Sequence, residues 1–447
     1  MLSLLAGLVL AAGIQIHHWQ VPVVAGQDVA VASVSVPEGA EPSFTVKARG
    51  LPCKALKSAF VKDGLLWVNV TEEKTKRLDK PFSLVIKAPG YEISETGARE
   101  HRLARRVRSG GDDGVAAYRI PGLVTSKKGT LIATYDIRHK NAYDLQGDID
   151  VGISRSTDGG LTWGPMIVAM DMGEWGGLPE DQNGIGDPCI LVDEVSGDIL
   201  LFAAWTHAKP GQAAWWTAGD GFLPEETPQL MMSRSTDDGL TWSKPENLTR
   251  QVKQEPWRFT FQGPGRAITM ADGTLVVPFQ HQEQDRTPAA GIMYSRDRGA
   301  TWQVHEYAKI NTTESQVVEV EPGVLMLNMR DNRKTGRAVY VTRDFGKTWE
   351  PHESDGELPC PVCMASIIKA GDMLIFSNPA DGKDRKNMTI KISTDGGRTW
   401  PRSILIDEGY SWGYSCLTMI DKNTVGILYE SSQAHMTFQA VKIKDIK

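Results

Sequence analysis

Ser156-Thr-Asp158-Gly-Gly160-Leu-Thr162-Trp163 is an eight-residue pattern that the chain repeats four more times. It returns at 235–242, 295–302, 342–349 and 393–400, each time as Ser/Thr-x-Asp-x-Gly-x-Thr-Trp. Every copy makes sense as a tight turn leaving a β-strand. The Asp carboxylate can accept hydrogen bonds from the turn's own amides. The Gly admits positive φ where the chain reverses. The Trp packs back and pins the turn. Five copies at this length exclude coincidence, and a repeated supersecondary unit points to a solenoid or a propeller.

Between the boxes a second regularity repeats. Short β-rich runs follow a Gly turn at 129–135, 197–205, 273–279, 323–329 and 371–377, and a last run at 424–430 has no box after it. Long amphipathic helical patterns are almost absent. Six such units predict an all-β fold, a six-bladed β-propeller over residues 99–447. Residues 21–98 hold strand-like runs and no box, so a small β-sandwich-like module is expected ahead of the propeller. Residues 2–14 are nearly all apolar and end on Ala11, Ala12 and Gly13. That length suits a leader peptide over 1–20 and is too short to span a bilayer. No basic residue precedes it, as in a leader whose start is truncated. Export to the periplasm or medium is the expectation.

Composition narrows the function. Of 447 residues, 41% are hydrophobic and 23% charged, as in ordinary globular proteins. The net charge of −6 gives no field for nucleic acid or an acidic membrane surface. An anionic ligand must therefore meet a local cluster of arginines. Cys360-Pro-Val-Cys363 matches C-x-x-C, yet no second pair completes a zinc site, so the five cysteines read as buried thiols or one incidental disulfide. No metal or phosphate-loop motif is visible. No cofactor is expected.

The boxes resemble the Asp-boxes of sialidases, in which they are structural and face away from the active site. Further motifs follow in that family's order: Tyr118-Arg119-Ile120-Pro121, Asp136-x-Arg138, Asn141-x-x-Asp144, Thr313-Glu314-Ser315-Gln316, Leu327-Asn328-Met329-Arg330, Arg385-Lys-Asn387 and Gly413-Tyr414-Ser415. The resemblance to bacterial exo-α-sialidases runs over residues 115–435. It implies a carboxylate clamp of Arg119, Arg330 and Arg385, a nucleophile Tyr414, a base Glu314 that activates it, and a general acid/base Asp144. It places Arg138 and Asp187 on the wall of the sugar pocket and Glu430 behind a clamp arginine. Asp136 and Asp150 read as structural residues at strand ends. Trp175, Trp205, Trp215, Trp216 and Trp257 stand in or near loops that could reach an aglycone.

The chemistry of the substrate supports these roles. Sialic acid carries a carboxylate on its anomeric carbon, and planar guanidinium groups match a carboxylate bidentately. A carboxylate nucleophile would be repelled by that same group. A neutral tyrosine is not, and sialidases are the tyrosine exception among glycosidases. Two successive displacements imply retention. The expected partner is a sialylated glycan, and the chain is expected to act as a monomer. Two other readings stand beside hydrolysis: a trans-sialidase or anhydro-sialic-acid-forming variant of the same chemistry, and a non-catalytic glycan-binding propeller. The last predicts loss of the Tyr414 and Glu314 pair, which is present.

Overall fold

The computed structural model describes residues 13–207 and 212–447. The chain divides into two compact units, Met1–Ala104 and Arg105–Lys447. Both are built from strands, and no helix among the described residues is long and apolar enough to cross a membrane.

In the first unit a five-stranded sheet takes the order Leu56–Lys62, Leu65–Val70, Asp28–Ser35, Ile14–His18, Ile93–Gly97. Ile14–His18 alternates buried and exposed residues, the period-2 signature of a half-covered strand. It lies between two neighbours, antiparallel to one and parallel to the other. The unit therefore begins before residue 21, and the apolar stretch read as a leader runs into a central strand; its residues 1–12 lie outside the described residues. The unit also extends past residue 98, because Arg102–Ala104 pairs in parallel with Pro22–Val24. Thr45–Arg49 and Ser83–Lys87 form a separate two-stranded sheet.

The second unit holds six sheets among its described residues, met one after another along the chain. Their first strands are Ala117–Thr125, Ile185–Val192, Thr260–Gln262, Thr312–Glu321, Ser366–Ala370 and Ser415–Asp421. The last sheet is completed from the start of the unit: Met436–Lys442 pairs with Arg105, Arg106 and Arg108. Ala117–Thr125 packs in turn against Ser415–Asp421, so the series closes on itself. Apolar side chains fill the space between successive sheets, as in the cluster of Val124, Ile132, Ile190, Leu201 and Met231.

Each box forms the turn after the third strand of its sheet, and all five have one hydrogen-bond pattern. In the first, Gly160 N donates to Ser156 Oγ at 2.8 Å and Thr162 N to Asp158 Oδ1 at 3.0 Å. Thr162 Oγ1 donates to Asp158 Oδ2 at 2.6 Å. Gly160 sits at φ +88°, and a Cβ there would lie 2.0 Å from Phe438 of the preceding sheet. The boxes thus staple each sheet to the one before it. Arg155 Nε reaches Asp238 O of the second box at 2.8 Å, and Arg234 Nη2 reaches Arg298 O of the third at 2.7 Å. All five cysteines are unpaired; Cys53 is exposed and the other four are buried.

The box hydrogen bonds hold the carboxylate of Asp237 down at about 2, Thr241 being the largest cause. A lowered folded pKa gives stability that is present above the unfolded value and is lost as pH falls toward 2. Asp237→Ala should lower Tm by about 2–4 °C at neutral pH. The difference from wild type should shrink between pH 4 and pH 2, as read by thermal denaturation across pH.

Candidate active site

The residues named from the family motifs converge because inner strands break their regular register at one end. Ala117–Thr125 carries a bulge between Arg119 and Gly122, where Ile120 takes φ +61°. A β-branched residue is rarely found there, and such strain persists only where the surroundings enforce it. Ile185–Val192 is bulged between Gly186 and Cys189, with Asp187 at φ +57°. Thr312–Glu321 is bulged between Thr312 and Ser315, around Glu314. Bulges re-aim side chains that a regular pleat would turn aside. Arg330 lies near the end of Val324–Asp331, Arg385 in the loop before Met388–Ser393, and Tyr414 next to Ser415–Asp421.

These residues line a cleft of about 510 Å³. Tyr414 Oη donates a hydrogen bond to Glu314 Oε1. Arg330 Nη1 donates to Glu314 Oε2 at 2.8 Å and to Tyr414 Oη at 3.2 Å. Arg119 Nε donates to Glu430 Oε1 at 2.6 Å, and its guanidinium lies 4.5 Å from the centre of the Trp412 ring. Arg385 donates to Trp412 O and Val362 O, both at 3.0 Å. Glu430 is buried behind Arg119, as the family pattern implied.

Electrostatics differ sharply among the acids. Burial pushes the Tyr414 hydroxyl well above its ordinary value, and Glu314 adds to this while Arg330 and Arg385 oppose it. Burial and repulsion from Asp136 and Asp144 raise Asp187 well above the usual carboxylate range. Asp144 is the contrast. Its surroundings would raise it, but Arg138, then Arg119 and Arg330, hold it below the usual range. Its side chain is 77% exposed at the mouth of the cleft, 2.8 Å from Arg138 Nη1 and 4.0 Å from Arg119 Nη1.

Arg138 reaches the cleft through Asp144, which its Nη1 meets at 2.8 Å. Its side chain is 1% exposed and is held by Asp136 at 2.8 Å and by Ala142 O at 2.7 Å. Short spacing in Asp136-x-Arg138 lets the two pair along one strand, which turns the guanidinium inward and leaves one nitrogen for Asp144. Asp136 also accepts from Asp187 N at 2.8 Å, and Asp150 is occupied by His139 at 2.9 Å. Of the five tryptophans, Trp215 and Trp216 line the cleft. Trp205 and Trp257 are buried, Trp175 packs edge-on against Trp205, and Trp257 stacks on His281. Sequence reasoning missed Trp412, Phe259, Phe261, Gln280 and Asn332 on the cleft wall. Trp412, two residues before Tyr414, had a readable signal. Phe261 and Gln280 lie in strands whose inward face the pattern alone does not give, and Phe259 and Asn332 stand just outside strand ends.

Residues 129–427 match the family model of the BNR repeat-like domain, which accounts for the repeated boxes. The chain is 58% identical over 365 residues to a sialidase of Bacteroides fragilis, covering 79% of this chain and 67% of that protein. It is 34% identical to a sialidase of Micromonospora viridifaciens over 72% of this chain, which spans half of that longer protein. The solved structure of a Hadza microbial sialidase superposes with a TM-score of 0.91 at 43% identity, covering 97% of this chain and 100% of that one. The chain is thus a BNR-repeat β-propeller protein. It belongs to the bacterial sialidase family.

Glu430→Ala would leave the Arg119 guanidinium and two buried backbone amides without their acceptor. It should destabilise the protein by about 3–5 kcal/mol in urea denaturation. Glu430→Gln, which keeps one acceptor oxygen, should cost less.

Proposed function

We propose that this chain is an exo-α-sialidase that hydrolyses terminal sialic acids from glycoconjugates with retention, through a sialyl–tyrosine intermediate. The observation that carries this reading is the Tyr414 hydroxyl, bonded to Glu314 and faced by Arg330, in a cleft shared with two further arginines.

The substrate carboxylate is received by Arg119, Arg330 and Arg385. Three charge-assisted contacts at roughly 1.5–3 kcal/mol each would dominate recognition. Tyr414 attacks the anomeric carbon while its proton passes to Glu314. A neutral phenol approaches beside the substrate carboxylate without charge repulsion. Its raised pKa means that it stays protonated until attack, so Glu314 must take the proton as the bond forms. Arg330 Nη1, 3.2 Å from the phenolic oxygen, stabilises the negative charge that develops there.

Asp144 protonates the departing glycosidic oxygen and then takes a proton from the water that frees Tyr414. The nearby arginines favour its ionised form. A bound carboxylate neutralises much of the field of Arg119 and Arg330, which raises Asp144 toward the protonated form a general acid needs. Arg138 holds Asp144 in place through Nη1 at 2.8 Å. Asp187 and the aromatic wall of Trp215, Phe259 and Phe261 face the remainder of the sugar and its aglycone. Export is part of this reading and rests on the apolar residues 2–14 alone.

A fluorogenic α-sialoside tests the enzyme reading directly: turnover is expected, and its absence from folded protein would overturn it. Tyr414→Phe should retain the wild-type Tm and lose about 100-fold or more in kcat. NMR of the first-formed product should show the α-anomer of free sialic acid; an anhydro product would redirect the reading to intramolecular transfer. Asp144→Ala should lose about 10²–10⁴-fold on an alkyl sialoside. It should lose much less on an aryl sialoside, whose leaving group needs no protonation.

A further inference from the structure

Trp412 touches two of the three clamp arginines with different parts of itself. The Arg119 guanidinium lies over its ring, 4.5 Å from the centre. Its carbonyl accepts from Arg385 Nη1 at 3.0 Å, and the neighbouring Ser411 N donates to Arg385 O at 3.0 Å. The loop and Arg385 are thus bound to each other in both directions. Trp412 is partly buried and lines the cleft itself.

Arg119 has a use for such a support. Glu430 holds it through Nε at 2.6 Å. Among the described residues neither Nη nitrogen donates a hydrogen bond, and Asp144 stands 4.0 Å from Nη1. A bond at Nε alone places the group and leaves its plane free to tilt. An aromatic face attracts a guanidinium and holds it in a stacked orientation. The ring packs on His435 as well, at 4.9 Å between centres. His435 Nδ1 accepts from Tyr118 N at 3.2 Å, and burial lowers its pKa, so this imidazole is neutral. Arg119 is the cation that the ring meets.

We propose that Trp412 is a positioning residue of the carboxylate clamp: its ring fixes the plane of Arg119 and its carbonyl the place of Arg385, so the two guanidinium groups are oriented together for the sugar carboxylate. The inference rests on the sialidase reading of the cleft.

The probe is an unsaturated sialic acid analogue, which keeps the carboxylate and is not hydrolysed, titrated by calorimetry. Trp412→Leu removes the ring and keeps the backbone carbonyl. It should weaken the analogue about tenfold and raise KM by a similar factor. kcat should change by less than about threefold. Trp412→Phe should recover most of the affinity. In an Arg119→Lys background the loss of the ring should cost about twofold or less, because a compact ammonium has no plane to hold. If the Leu variant does not fold, fluorinated tryptophan at position 412 keeps the shape and drains the π face, and affinity should fall with each added fluorine. Unchanged affinity in the Leu or the fluorinated protein would overturn the proposal, as would an equal loss in the Arg119→Lys background. So would a fall in kcat at unchanged affinity, which would assign the ring to Tyr414. Failure of the enzyme reading looks different: the wild type would bind the analogue, with the same dependence on residue 412, and release no sugar.

Discussion

The Glu430 carboxylate accepts from Arg119 Nε at 2.6 Å, from Ile120 N at 3.1 Å and from Tyr414 N at 3.0 Å. Arg119 and Ile120 belong to the first inner strand, and Tyr414 stands beside the last. One buried anion therefore joins the seam of the ring to both halves of the proposed chemistry, the clamp arginine Arg119 and the nucleophile Tyr414. It also explains how Ile120 is kept at positive φ: the amide that this conformation exposes is the one Glu430 receives. A charge buried this deeply would be costly alone. Pairing with a guanidinium and two amides offsets its desolvation and fixes the position of its neighbours.

The same logic governs the rest of the cleft. Three arginines facing one space repel one another, yet none is left to do so uncompensated. Arg119 has Glu430, Arg330 has Glu314, and Arg385 rests on two carbonyls. The pairings leave donor nitrogens for a ligand while fixing the guanidinium planes in advance. Little ordering is then needed when an anion arrives, which is the sense in which the site is preorganised. It also reconciles a protein of net charge −6 with an anionic substrate: the attraction is local and built into the cleft.

Much of this was legible in the sequence, for reasons that differ by residue. The boxes could be read because a turn needs its Asp, Gly and Trp at fixed offsets wherever it occurs; the hydrogen bonds of Asp158 recur at Asp237, Asp297, Asp344 and Asp395. The cleft residues could be read only through ordered motifs, since Arg119, Arg330 and Arg385 are far apart in sequence. Arg138 shows the limit. Its motif marks the residue and not its partners, since Asp136 two residues away holds the guanidinium. The first unit was hardest to bound. The apolar stretch ends at Ile14, where the strand Ile14–His18 begins, and that strand depends on Asp28–Ser35 and Ile93–Gly97, which no local pattern ties to it.

The boxes and the cleft also occupy opposite ends of the sheets, and the register shows why that separation is stable. In the first sheet Leu131 pairs with Ser156 at the box end, and Arg138 pairs with Ile149 at the cleft end. The box end repeats one geometry: five equivalent turns, each with its glycine at positive φ, three of them with Asp238, Arg298 or Phe345 there too, and each with its carboxylate satisfied within the turn. The cleft end departs from regular pairing, with strand bulges that hold Ile120 and Asp187 at positive φ and a tyrosine whose ionisation is opposed by burial. Strain of this kind costs on the order of 1–3 kcal/mol per residue and survives only in a frame that over-determines it. Repetition at one end supplies that frame, so five turns with no part in the chemistry allow the other end to depart from regular geometry and hold Tyr414, Glu314 and the clamp in place.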